Sequence, residues 1–224
     1  DQDIQPTYGL GSFGARPGDN IIAIEEYRGL MINGQHARLS PLHKDVFCYS
    51  RDPTLTSLHG GFFTSALATK NLEILPSDCK EADKRKINPY FQGMEENFHK
   101  DQCALEFIEG DFSEHGEQGY ANPYDSSIAE HPCNVEDLKI FSGTIYQNFA
   151  SLGIAESMVK HVMGHEGGHC VHMPHVIWTP DREKWSLMIT DAPTTLFQYN
   201  GVPQEYDAED LNFFLLYEEF SWLR

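Results

Sequence analysis

The chain has 224 residues, of which 40% are hydrophobic and 12% aromatic, and it carries a formal net charge of -18. That is enough apolar matter for one full core, which excludes a disordered or fibrous chain. No apolar run approaches the roughly 20 residues that cross a bilayer, no charged-then-apolar signal segment opens the sequence, and the negative charge argues against nucleic acid or an anionic membrane surface as partner.

In chain order, residues 1–20 are rich in Gly, Pro and polar types and read as an irregular arm. Ile21–Tyr27 is a short β-type run, and Lys44–Tyr49 reads as a strand. A helix is expected across 60–70 and another strand at Leu72–Leu75, a β-α-β order that favours a parallel pair with a right-handed crossover. Residues 76–103 are polar and loop-rich, and their basic run Lys84-Arg85-Lys86 reads as a solvated face. Ala104–Ile108 is the next strand. It is followed by a glycine-containing loop with Glu109, Asp111, Glu114 and Glu117, in which Ca²⁺ is possible although the spacing matches no EF-hand and a plain solvated loop is the commoner outcome.

From Asn134 the pattern turns helical, with Leu138, Phe141, Ile145 and Phe149 recurring at three or four. Asn134 is the expected N-cap and Asp137 stands three later, while the β-formers of 139–146 leave part of this stretch open to a strand. After a break at Gly153, a second helix is expected over roughly 154–170. The end of the chain reads as an aromatic loop over 189–206 and an amphipathic helix capped by Asp207, burying Leu211, Phe214, Leu215 and the run to Phe220. Five cysteines (48, 79, 103, 133 and 170) allow two disulfides and one thiol, with connectivity open and Cys170 the candidate for the odd one.

The chemistry is concentrated in His161–His175, a stretch that holds five of the eleven histidines. On a helix, residues four apart differ by about 40° in azimuth and about 6 Å in rise, so His165 and His169 aim at one point from one face. Glu166 lies off that axis, where a carboxylate reaches a water on the metal without being a ligand. A chance HExxH is expected roughly once in twenty chains of this composition; His175, completing HExxHxxxxxH, cuts that by a further factor of about twenty and supplies the third ligand that a catalytic zinc uses.

The run resembles the metzincin clan of zinc endopeptidases, whose extended motif is HExxHxxGxxH followed by a methionine-bearing turn. Ser186-Leu187-Met188, 13 residues after His175, is similar to that turn, and the Lys44-Asp-Val-Phe start is similar to the first core strand of some bacterial members. The family's glycine after the second histidine is His172 here. Histidine is among the residues enriched at positive φ, so it can stand at such a turn. His175 is preferred as third ligand, with His172 the alternative.

The resemblance implies one α+β catalytic domain over 1–224: an α/β/α sandwich with a mixed twisted sheet and a central zinc helix. The N-terminal part would run to about 170, and a small C-terminal subdomain over about 171–224 would carry the Met-turn and end in a helix. It implies one Zn²⁺ on His165, His169 and His175, Glu166 as general base, Met188 as an apolar floor under the metal, a protein or peptide substrate aligned along an edge strand for which Ala104–Ile108 is the candidate, and a secreted protein. Thr190 stands two residues after the methionine, so no oxyanion-stabilising tyrosine carries over there. The rival readings are another zinc-dependent amide or ester hydrolase and a non-catalytic metal-binding or adhesion module.

Overall fold

The computed structural model describes residues 27, 29–32, 34–39, 44–52, 55, 69–73, 86–88, 102–123, 135–170, 175–177, 188–190, 197, 202 and 203. Of the run expected as a strand at Ile21–Tyr27, only Tyr27 lies among them, and its backbone is helical. Strands β1 (Leu30–Ile32) and β2 (Gln35–Ala37) then form an antiparallel hairpin with Ile32 opposite Gln35. The two residues between are Asn33 and Gly34, and Gly34 has φ +70, the left-handed geometry for which Asn-Gly is the preferred hairpin dipeptide.

Strand β3 (Lys44–Ser50) pairs in parallel with β4 (Thr69–Glu73), as the β-α-β order predicts. The intervening residues 60–68 lie outside the described residues, and positions 69 and 70, expected as the end of a helix, are strand. The stretch 76–103, expected to be loop-rich, contributes the antiparallel pair β5 (Lys86–Asn88) and β6 (Gln102–Cys103). Next come β7 (Leu105–Gly110), β8 (Gly119–Pro123) and β9 (Val135–Phe141).

The main sheet has the order β4-β3-β7-β9-β8, parallel throughout except that β8 runs antiparallel to β9. Two expectations are corrected here. Ala104–Ile108 is not an edge strand: β7 is flanked by β3 and β9, and Leu105 and Phe107 are fully buried. The helix expected from Asn134 begins only at Ser142, because Val135–Phe141 forms the sheet strand next to the edge. There the alternation that places Leu138 and Ile140 on one face wins over the three-four spacing.

Helix α1 (Ser142–Phe149) follows directly, then a 3-10 turn (Ala150–Leu152), Gly153 at φ +71, and helix α2 (Ala155–His169), close to the expected 154–170. Cys48, Leu105, Phe107, Leu138 and Ile140 meet Ile145, Phe149, Met158, Val159, Val162 and Met163 of the helices in one core. The alternate positions Phe47 and Tyr49 turn to the other face, where Ile32 and Leu39 close over them together with Ala104. Short strands β10 (Val176–Ile177) and β11 (Ile189–Thr190) form a separate parallel pair. The helix expected from Asp207 lies outside the described residues.

The expectation of two disulfides does not hold. Cys48 and Cys170 are both buried thiols, and Cys103 is disulfide-bonded, which leaves material for one bridge. Cys170 gives its S–H to the Glu166 carbonyl at 3.2 Å, across the last turn of α2.

The acidic loop between β7 and β8 is tied to the start of α1. Ser142 Oγ donates to the Glu109 carboxylate, Thr144 N–H to the Asp111 carbonyl at 3.2 Å, and Ser113 N–H to Thr144 Oγ1 at 2.9 Å, while Ser113 Oγ donates to the Glu117 carboxylate. No group of three metal-binding side chains gathers in this loop among the described residues, so the Ca²⁺ expectation gains nothing from it. A Cβ on Gly143 would lie 2.1 Å from the Asp111 carbonyl oxygen. Helix propensity alone predicts that Gly143→Ala gains about 1 kcal/mol; this contact predicts a loss of about 2 kcal/mol instead, and urea unfolding reads the sign.

Candidate metal centre

Helix α2 is buried around most of its circumference: Met158, Val159, Val162 and Met163 face the core, and Gly164, Gly167 and Gly168 are buried as well. Glycine costs a helix about 1 kcal/mol per residue, so three in one turn and a half mark a segment where neighbours come close. His165 and His169 are half-buried one turn apart, and His175 is exposed just before β10. One ring nitrogen from each lies within 4.8 Å of those of the other two, and the Nε2 atoms of His169 and His175 are 2.8 Å apart. The His165 and His169 rings meet edge to face at 4.8 Å between centroids, and His165 stacks on His175 at 5.0 Å.

These three imidazoles suit a divalent transition metal. Tetrahedral zinc at about 2.0–2.1 Å from each nitrogen sets its ligands about 3.4 Å apart, and the donors already enclose a site of that order. A set of three neutral imidazoles without carboxylates favours Zn²⁺, Cu²⁺ or Fe²⁺ over Ca²⁺ or Mg²⁺. The alternative third ligand, His172, lies outside the described residues, as do Ser186 and Leu187.

Met188 is fully buried in the main core, the cluster that also holds Cys170 and Phe197. The parallel register pairs Val176 with Ile189, so one step back along the ladder brings His175 beside Met188. The two features that the sequence holds 13 residues apart are thus adjacent.

Glu166, one residue on from His165 and so turned by about 100° from it around the helix, is 8% exposed. Burial pushes its carboxyl up to about 8, against which a hydrogen bond from the Ala121 backbone N–H favours the charged form. A cation on the neighbouring histidines acts in the same direction as that hydrogen bond. The sequence alone gave β8 no role, yet this strand packs directly on Glu166 and Val162 at Gly119. Gly119 stands in a Gly-rich loop by composition, and no periodic signal marks it as strand.

His161, one turn before His165, is also fully buried but plays a different part. Its Nδ1 donates to the Pro203 carbonyl at 3.2 Å, and Phe197 lies 5.8 Å from its ring. Since a carbonyl only accepts, Nδ1 carries the proton, and the imidazole fastens the C-terminal segment to α2. Its histidine spacing with His165 gives the sequence-level signal, while the partner on Pro203 is a tertiary matter.

No family model matches the sequence, and no curated protein matches it. Among solved structures, the chain is similar to the crystal structure of archaemetzincin from Methanopyrus kandleri, with TM-score 0.38 and 15% identity over 76% of this chain and 92% of that one.

The burial of His161 has a stability consequence. Desolvation lowers its pKa from 6.5 to about 4. Between those values the unfolded chain binds the proton and the folded chain does not, so this stability is present above pH 6.5 and is lost as pH falls toward 4. In metal-free protein with chelator present, wild type should lose about 2 kcal/mol relative to His161→Gln between pH 7 and pH 5. Denaturant unfolding of both proteins at the two pH values measures it.

Proposed function

We propose that the chain is a zinc-dependent endopeptidase of metzincin type. The observation that carries this reading is the convergence of His165, His169 and His175 beside a buried Glu166. His165, His169 and His175 would hold the zinc, with Met188 as the apolar floor beside His175. When bound, zinc supplies Lewis acidity for a carbonyl oxygen and makes water more acidic.

The chain's own residues do the rest. Glu166 takes a proton from the attacking water on its carboxylate and passes it to the nitrogen of the leaving amine. Among the described residues β8 has one strand neighbour, β9, so its outer side supports an extended peptide laid along it by main-chain hydrogen bonds. That role passes from Ala104–Ile108 to Gly119–Pro123.

The same reading takes 1–224 as one catalytic domain, with a cleft between the part up to about 170 and the part from 171, and takes the protein as secreted. The disulfide at Cys103 supports an oxidising compartment. No helix among the described residues is long and apolar enough to cross a membrane.

Glu166→Gln should keep one zinc per chain and lose about 10²–10⁴-fold or more in turnover of a protein digest; near-normal cleavage by the zinc-loaded variant overturns the mechanism. A second pair of variants decides the third ligand. His175→Ala should lose zinc on dialysis against a mild chelator, whereas His172→Gly should retain it, and the reverse pattern would move the ligand to His172.

A further inference from the structure

The ladder between β8 and β9 fixes which backbone groups of β8 face outward. Phe141 N–H donates to the Gln118 carbonyl at 2.8 Å, and the register sets Gly119 opposite Ile140, Tyr120 opposite Lys139 and Ala121 opposite Leu138. Bonded and non-bonded pairs alternate in an antiparallel ladder. With Gln118 and Phe141 bonded, Tyr120 and Lys139 are bonded too, and Gly119 and Ala121 turn their N–H and C=O groups away from β9. An edge N–H turned toward a helix needs an acceptor there. For Ala121 the acceptor at hand is the Glu166 carboxylate, whose Cγ would lie 2.9 Å from a Cβ placed on Gly119, two residues earlier on the same side of β8.

The close approach depends on a missing side chain. A Cβ at position 119 would lie 2.7 Å from Val162 Cγ1, 2.9 Å from Glu166 Cγ and 3.1 Å from the Lys139 carbonyl oxygen. Val162 can yield by rotating. Glu166 Cγ stands near the root of its side chain, and Lys139 O belongs to the strand paired with β8, so a larger residue must move either the glutamate or the strand.

We propose that β8 is the positioning element for Glu166: the outward N–H of Ala121 holds one carboxylate oxygen, and Gly119 is the positioning residue that lets the strand come near enough to do so. The functional side of this rests on Glu166 being the general base. A glutamate side chain carries several free torsions, and fixing one oxygen on a backbone donor aims the other at the site without ordering it anew at each turnover. It also means that an extended peptide on β8 meets Glu166 at Ala121, so that the base and the substrate are set by the same strand.

Amide hydrogen exchange on zinc-loaded, ¹⁵N-labelled protein tests the contact without reference to activity. In Glu166→Leu the Ala121 amide should exchange at least ~10-fold faster than in wild type, while Glu166→Gln, which keeps an acceptor oxygen, should retain protection. The Tyr120 amide, held in the ladder, should be unchanged in both. Equally slow exchange of Ala121 in Glu166→Leu overturns the proposal.

The positioning role is read separately with fluorescein-labelled casein. Gly119→Ala should keep one zinc and an unchanged KM while kcat falls on the order of 10²-fold, the effect of a displacement of about 1 Å. Ala121→Pro deletes the donor at an edge position where proline is tolerated, and it should lower kcat in the same way if Gly119→Ala does not fold. Full kcat in a folded, zinc-loaded variant of either kind overturns the positioning role. Activity in Glu166→Gln would instead remove the general-base reading, and the exchange result would still decide whether β8 holds the side chain.

Discussion

The contact of β8 with α2 at Gly119 governs how the site can be built. Helix α2 must bury Val159, Val162 and Met163 against the sheet and at the same time present His165, His169 and Glu166 at its C-terminal end. Residues four apart share a face and a neighbour one residue on is turned by about 100°, so seating the helix on the sheet sends the imidazoles one way and the carboxylate another. The carboxylate then falls on the edge strand, where a backbone donor meets it, and the imidazoles fall on the side from which His175 returns. A helix rotated by a quarter turn would satisfy neither group.

Electrostatics follow from that seating. Two titratable residues on α2 are buried, and burial moves both toward the neutral form: His161 down to about 4 and Glu166 up to about 8. For Glu166 the metal-free linkage runs opposite to that of His161, since its contribution is fully present below the unfolded value of 4.5 and is lost as pH rises through about 8. A cation on the three histidines reverses this by favouring the carboxylate. The apo protein therefore has opposing pH trends built into a single helix, and metal removes the one that weakens the fold as pH rises.

Much of this was legible in the chain because its signals are local. The extent of α2, the break at Gly153, the strand at Lys44 and the parallel pairing of β3 with β4 follow from periodicity and turn chemistry, and the HExxHxxxxxH spacing brings out the residues that the fold gathers. What was not legible depends on who lies next to whom. Val135–Phe141 carries a helical spacing and is a strand because Leu138 and Ile140 have Phe107 and β8 to pair with. Leu105–Gly110 has the alternation of an edge strand, and only the sheet order shows that it is interior. Gly119 looks like a loop glycine until Val162 and Glu166 are beside it, and His161 finds its partner at Pro203, 42 residues away.

The central claim is that three imidazoles from α2 and the start of β10 share one metal ion. X-ray absorption at the zinc edge of the zinc-loaded protein tests it directly. The account predicts three imidazole nitrogens at about 2.0–2.1 Å and no sulfur neighbour. Sulfur at about 2.3 Å, which would bring Cys170 or another thiol into the site, or fewer than three imidazoles about the metal, would contradict it.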